Sequence, residues 1–407
     1  MSAPYRITGQ AWLESEGARR VIAALEAAGG EDCARFVGGC VRNALLGAAI
    51  DDVDIATRLE PQQVLDALKA AGIRAIPTGI EHGTITAVTK GQPFEITTLR
   101  RDVETDGRRA VVAFTTDWRE DAARRDFRLN ALYANGRGEV FDPTGHGVED
   151  ALAGRIIFVG DPEQRIREDY LRILRFYRFG AWYGRGAPDA AGHAACARLA
   201  QGVTTLSAER ISKELLKLLA AVDPVASVKA MEEAGVLSRL LPDSRTETLA
   251  AMVTLTNDPL MRLAALLPCD GKVLDRLAGS LRLSNAQRDR LVASAVELDV
   301  GMSDVEARGM IWRDGREAFV DRTLRAEASD TANPRWAALR AMAQGWAVPK
   351  LPVGGKDIAK AGIKPGPMTG RILKAFEESW IADDFPASGH EERLAAAIAR
   401  IGRGGNG

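Results

Sequence analysis

The chain changes its hydrophobic period once, near Asp161, and that change constrains the fold more than any other feature. Before it, short apolar runs are punctuated by glycine turns and brief helical stretches. After it, apolar residues recur at helical spacing through Ile166–Phe179, Ala208–Ala220, Pro224–Ala234 and Asn285–Leu298. The first half opens with a predicted helix, Ala11–Ala28, with Val21, Ile22 and Leu25 on one face and Gly29-Gly30 at its end. A strand at Arg35–Val37 runs into Gly38-Gly39, and a short helix, Val41–Leu46, is stopped by Gly47. Asp52–Thr57 reads as a strand, Pro61–Ala71 as a helix with a favourable first proline, and Thr84–Thr89 and Phe94–Leu99 as strands. Gly107–Val112 reads as a loop leading back to a strand, Asp117–Arg128 as helical, and Leu129–Ala134 with Glu139–Phe141 as closing the sheet. The expected class is α+β: a small mixed sheet followed by an all-helical remainder. No solenoid repeat is present.

At 407 residues the chain exceeds one ordinary compact unit and fits roughly two to four packed subdomains. Its 46% hydrophobic and 27% charged residues form a soluble globular balance. No apolar run approaches the roughly 20 residues of a membrane span. The segment MSAPYRITGQ lacks the charged-then-apolar layout of a signal peptide, so the cytoplasm is the expected location. Cys33, Cys40, Cys196 and Cys269 are scattered, which argues against a disulfide framework or a zinc site. The four histidines are not at ligand spacing, so histidine-cluster chemistry is disfavoured. A net charge of −1 does not advertise a nucleic-acid binder, and the arginines dense between Arg100 and Arg185 are interleaved with acids. No protein partner is evident.

Two acids and a glycine turn carry the chemistry. On a strand, residues i and i+2 share a face, so Asp52 and Asp54 would present two carboxylates side by side with Val53 turned to the core. Such carboxylates repel unless a cation lies between them, and oxygen ligands with open positions for phosphate suit Mg²⁺. The plainer reading is a polar strand end. Upstream, Gly38-Gly39 lies between a strand and the helix opened by Val41-Arg42. Glycine lets backbone N–H groups approach a phosphate, the helix start adds a positive dipole end, and Arg42 can offer a charged fork to the same triphosphate. The order matters: glycine turn, arginine helix, acidic strand.

Phe36-Val37-Gly38-Gly39-Cys40-Val41-Arg42 followed by Asp52-Val53-Asp54 resembles the head of class II nucleotidyltransferases of the polymerase-β superfamily, the CCA-adding tRNA enzymes and bacterial poly(A) polymerases. The chain departs from the pattern at Asn43, where that family usually has Asp. Arg124-Arg125-Asp126-Phe127 with Asn130-Ala131-Leu132 is similar to the family's Arg-Arg-Asp segment; Arg125 would grip a triphosphate or ribose, and Asp126 and Asn130 would orient. Glu168-Asp169-Tyr170-Leu171-Arg172 resembles the base-reading motif, in which Asp169 and Arg172, taken as i, i+3 neighbours on one helix face, imitate a Watson–Crick edge. Arg175 and Arg178 match arginines that hold the nucleotide. Glu95, on a strand beside the acid pair, is either an exposed residue of an alternating strand or a general base or outer metal ligand.

Asp102–Val111, with Asp106-Gly107-Arg108, resembles the flexible head loop of CCA-adding enzymes, and Pro77-Thr78-Gly79 with His82-Gly83-Thr84 also resembles that branch. Ser207–Leu216 resembles a neck helix. Gly362–Gly370 resembles the family tail, where a glycine turn either breaks a helix or presents N–H groups to RNA phosphates. The resemblance implies a nucleotidyltransferase head at 1–153, a helical neck at 154–223, a helical body at 224–347 and a helical tail at 348–407, with a flexible end around Gly404-Gly405. It further implies transfer of C, C and A from CTP and ATP to the 3′ end of tRNA, assisted by Mg²⁺. In that reading Asp52 and Asp54 hold the metal. Gly38, Gly39, Arg42 and Arg125 hold phosphates and sugar, and Asp169 and Arg172 read the base with Arg175 and Arg178 in support. A poly(A) polymerase or a C-only or A-only enzyme would share the fold. A non-catalytic RNA-binding homologue is the alternative from another class.

Overall fold

Seven strands, among the described residues, pair into one mixed sheet in a computed structural model that describes residues 5–50, 52–106 and 109–403. In chain order the strands are β1 (Ala34–Val37), β2 (Asp54–Thr57), β3 (Arg74–Gly79), β4 (Thr84–Thr89), β5 (Gln92–Thr98), β6 (Arg100–Asp106), β7 (Arg109–Phe114), β8 (Tyr133–Ala134) and β9 (Val140–Phe141). The sheet order is β3-β4-β5-β2-β1-β8-β9, and β6 and β7 form a separate antiparallel hairpin. Only β2 and β5 run parallel among the described strands.

Register explains which face is buried. Phe36 pairs with Ile55, Ile55 with Ile96, and Ile96 with Ile85, a row of apolar side chains across four strands. All four are buried. The next row falls on the opposite face and holds Asp54, Glu95 and Thr86 in register. That second face is closed further along by helix Trp118–Ala123, where Trp118 and Ala122 pack with Val37, Ala56, Leu99 and Tyr133. The sheet is thus two-sided, and the acids stand on one face beside this core.

The chain forms two compact units, Met1–Pro242 and Asp243–Gly407. The first adds to its sheet the helices Pro162–Glu168, Leu171–Tyr183, Ala190–Arg198, Ala208–Leu219 and Val225–Glu233. The described part of the second is helical, with one core around Ile311, Phe319, Trp336 and Leu339 and another around Ile358, Phe376, Trp380 and Leu394. Among the described residues no helix is long and apolar enough to cross a membrane. The four cysteines are free thiols.

Several sequence expectations need correction. The opening helix is two, Ala11–Glu14 and Glu16–Gly29, because Ser15 is extended and its hydroxyl accepts from the Ala18 N–H at 3.1 Å. β2 starts at Asp54, so Asp52 and Val53 precede the strand, and Val53 is only half-buried. Residues 109–114 are the strand β7 and not a loop, while Gly107 and Arg108 lie outside the described residues, as do Gly404 and Gly405. Of Leu129–Ala134 only Tyr133-Ala134 is strand; Arg128–Asn130 is a 3₁₀ turn. The helix expected over 166–179 breaks at Asp169, whose backbone is extended (φ −155°, ψ 105°). The helix from Asn285 ends at Ala293. The Gly/Pro-rich stretch 351–370 contains helix Gly355–Lys360 and the start of helix Pro367–Ala382.

Candidate active site

The glycine turn is built by backbone geometry. Gly38 has φ +72° and ψ −119°, a conformation that side chains disfavour, and it precedes helix Gly39–Leu46. Its N–H donates to the Leu132 carbonyl at 3.0 Å, which pins the turn to the strand of Tyr133. A Cβ at Gly38 would stand 3.7 Å from Arg125 Nη1, so the Arg125 guanidinium lies against this turn. The first N–H groups of the helix, which lack intrahelical partners, open at the same place.

Asp54 stands at the head of β2, directly across from Glu95 on parallel β5. Burial raises the Asp54 carboxyl, and the charges of Glu95 and Asp52 raise it further; Arg125 offsets part of this, leaving it pushed up to about 6. Asp52 and Glu95 are exposed. Three carboxylates and one guanidinium therefore act on one another at this end of the sheet. Among the described residues no three His, Cys, Asp or Glu side chains close into a metal cluster. Two hard oxygen donors with the remaining positions left to phosphate and water are nonetheless the donor set that Mg²⁺ takes at nucleotide sites.

Asp121 organises the arginines and was missed from the sequence. It is 1% exposed and accepts from Arg124 (2.9 and 2.7 Å), from Arg125 (3.3 and 3.0 Å) and from the Tyr133 hydroxyl (2.7 Å). Burial alone would raise its carboxyl, but Arg125, Arg124 and the Tyr133 hydrogen bond outweigh burial and hold it at about 2. The available signal was its i, i+3 and i, i+4 spacing to the two arginines.

Arg42 does not present a free fork. The residue is 6% exposed, and its guanidinium donates to Asn43 Oδ1 (3.0 and 2.8 Å), to the Tyr183 hydroxyl (2.8 Å) and to Asn130 Oδ1, and stacks 4.0 Å from the Tyr183 ring. All these acceptors are neutral. Asn43 also donates to the Ala49 carbonyl at 2.5 Å, which explains this position: it braces Arg42 and the loop after the helix. Asn130 in turn donates to Asp126 at 3.0 Å, and Asp126 accepts from Arg175 at 2.7 Å. A polar chain thus runs from Tyr183 through Arg42, Asn130 and Asp126 to Arg175, with both ends on one helix.

The two base-reading candidates share no helix. Asp169 lies in the break before helix Leu171–Tyr183, where its carboxylate caps the Leu171 N–H at 3.1 Å and pairs with Arg210 at 2.7 Å. Arg172 lies on the helix and donates to Glu168 (2.6 Å) and to the carbonyls of Arg165 (2.8 Å) and Arg124 (2.9 Å). Their side chains bond different partners and not each other, although the Arg172 N–H donates to the Asp169 carbonyl at 3.0 Å. Arg178 forms an ion pair with Glu214 at 2.5 Å and stacks 4.3 Å from the Phe179 ring.

A mixed sheet with an acid pair beside a glycine turn, followed by helices, is the arrangement of a nucleotidyltransferase. Comparison with known proteins agrees. Residues 34–157 match the poly A polymerase head domain, and residues 189–252 match a probable RNA and SrmB-binding site of polymerase A. The mitochondrial CCA tRNA nucleotidyltransferase 1 of Mus musculus is 35% identical over 364 residues, spanning 85% of this chain and 82% of that one. The CCA-adding enzyme of Lacticaseibacillus paracasei is 31% identical over 393 residues, spanning 90% and 92%. The crystal structure of the Bacillus stearothermophilus CCA-adding enzyme in complex with CTP superposes with a TM-score of 0.74 at 26% identity, covering 96% of this chain and 98% of that one. The chain belongs to the family of class II CCA-adding tRNA nucleotidyltransferases and poly(A) polymerases.

Proposed function

We propose that this protein adds C, C and A to the 3′ end of tRNA from CTP and ATP, releasing pyrophosphate. The observation that carries the reading is the Asp54 carboxyl, pushed up to about 6 by burial, Glu95 and Asp52 at the mouth of a glycine turn. A carboxylate cluster held together against its own repulsion marks a functional site. The similarity to enzymes named for CCA addition, over most of the chain, selects the substrate.

Asp52 and Asp54 would hold Mg²⁺. Bound there, the ion supplies charge neutralisation for the triphosphate and lowers the barrier to attack by the RNA hydroxyl. Glu95 shares the field of that pair, as general base or outer ligand. The Gly38-Gly39 backbone and Arg125 take the phosphates and sugar; Asp121 orients Arg125. Arg42 contributes its charge from behind the turn, since no carboxylate pairs with it among the described residues. Asp169 and Arg172 read the base, with Arg175 and Arg178 bracing the helix behind them. For Arg172 to reach a base it must leave the carbonyls it now holds. The head would be 1–153, the neck 154–223, the body 224–347 and the tail 348–407, and the enzyme would act in the cytoplasm.

The test is incubation with a tRNA lacking its terminal CCA and with each nucleotide in turn. CTP alone should extend it by two residues, CTP with ATP by three, and GTP or UTP by none. A ladder of A residues would identify a poly(A) polymerase instead.

A further inference from the structure

Most tryptophans in a folded chain hide their rings, because a large apolar face in water forfeits burial. Trp118, Trp336 and Trp380 follow that rule here, but Trp182 is 47% exposed. Its ring is nevertheless fixed, since Nε1 donates to the Lys217 carbonyl at 2.7 Å. It borders a cleft of about 380 Å³ whose other walls include Asn43, Ala48, Ala49, Tyr183 and Arg185. No acid lines this cleft among the described residues. Arg185 is exposed, donates to the Leu152 carbonyl at 3.3 Å, and has no carboxylate partner among the described residues.

The cleft shares two of its walls with the bonds that hold Arg42. Ala48 and Ala49 belong to the segment that leads to Asp52, and Asn43 and Tyr183 are the residues that hold Arg42. Trp182 stands near the C-terminal end of helix Leu171–Tyr183, whereas Arg172 stands at its start. Ten residues separate the two, or about 15 Å of helix rise. A base read at Asp169 and Arg172 is therefore not the base that meets Trp182.

We infer that Trp182 and Arg185 form the seat for the last nucleotides of the acceptor RNA, with a base stacked on the indole and a phosphate on the guanidinium. This rests on the proposed nucleotidyl transfer to RNA. A fixed aromatic face beside a cation that no carboxylate neutralises holds single-stranded nucleic acid without reading its sequence. That suits a growing end whose terminal base changes at each addition. The step needs no new chemistry: the seat would hold the strand that ends in the 3′ hydroxyl, and the attack and pyrophosphate release proceed as proposed above.

The experiment combines two readouts on the full-length protein. In steady-state assays with a tRNA lacking CCA, Trp182→Ala should raise the KM for tRNA about tenfold, on the scale of one lost base stack, without a matching rise in the KM for CTP. Trp182→Phe should recover most of the loss, and Arg185→Ala should raise the KM for tRNA alone. Independently of turnover, 2-aminopurine placed in either of the last two RNA nucleotides should be quenched on binding the natural protein and not on binding the Trp182→Phe form. An unchanged KM for tRNA overturns the inference, and so does an equal rise for tRNA and CTP, which would assign Trp182 to bracing Tyr183 and Arg42. Should Trp182→Ala fail to fold, absence of quenching by the natural protein overturns it equally. A natural protein that binds and quenches the RNA but adds no nucleotide contradicts the activity and leaves the seat standing; addition without quenching does the reverse.

Discussion

Asp54 and Glu95 face each other directly across adjacent parallel strands, the only parallel pair among the described strands of the sheet. Side chains in register on one face cannot avoid each other. The Asp54 carboxyl consequently lies near 6 in place of its ordinary 3.8, with burial the larger cause and Glu95 the next.

This carboxylate should cost the metal-free protein stability. A folded-state value raised above the unfolded one means that the native state binds the proton more tightly. Stability from this group is then full below about 4 and is lost as pH rises through about 6. Asp54→Asn should therefore stabilise the protein in EDTA at pH 7 to 8, on the order of 1–2 kcal/mol, while abolishing nucleotide addition. The gain should shrink toward pH 5. Urea melts of both forms across that range measure it, and a destabilised Asn variant would mark Asp54 as a structural residue.

Asp121 gives the opposite dependence. Its carboxyl is held at about 2, below the unfolded value, so its contribution is present at neutral pH and lost as pH falls from about 4 toward 2. Asp121→Ala removes the anion from two part-buried arginines and should cost about 3–5 kcal/mol at pH 7. If enough folded protein remains, the KM for CTP should rise, because Arg125 loses its anchor beside Gly38. Chemical denaturation and steady-state assays test the two halves separately.

Asn43→Asp sets a carboxylate against a buried guanidinium that has only neutral acceptors. A hydrogen bond strengthened by charge should raise stability by about 1 kcal/mol. If Arg42 lends its charge to the triphosphate, the KM for CTP and ATP should rise in the same variant. A more stable protein with unaltered KM values would confine Arg42 to a packing role.

Arg172→Ala should relax base choice. The ratio of kcat/KM for CTP and ATP over GTP and UTP should fall at least about tenfold, the scale of one lost polar discriminator. Assays of all four nucleotides on one RNA decide this; unchanged ratios would move the base-reading role elsewhere.

The division into a mixed sheet and a helical remainder was legible because hydrophobic period reports it directly. Strand β4 was found to the residue, and β5, which runs Gln92–Thr98 where Phe94–Leu99 was expected, within two, since Ile85, Ala87, Phe94 and Ile96 alternate with polar neighbours. Strand β3 was not assigned at all, because Pro77 and its exposed neighbours break the apolar alternation that marks a strand, as edge strands often do. The break at Asp169 was invisible for another reason. Glu168-Asp169-Tyr170 contains no helix breaker; the break is set by distant partners, Arg210 on the Asp169 carboxylate and Gly202 beneath the Tyr170 ring, where a Cβ would stand 1.9 Å from the ring. At the site, the acid pair, the glycine turn and Glu95 were legible as motifs. That Arg42 is buried and spent on neutral acceptors was not, because Asn130 and Tyr183 are remote in sequence.

The most direct test of the central claim replaces both acids at once. With a tRNA lacking CCA, CTP, ATP and Mg²⁺, the natural protein should restore the complete terminus. The Asp52→Ala, Asp54→Ala double variant should fold, bind nucleotide and add nothing. Nucleotide incorporation that survives the loss of both carboxylates would contradict the account.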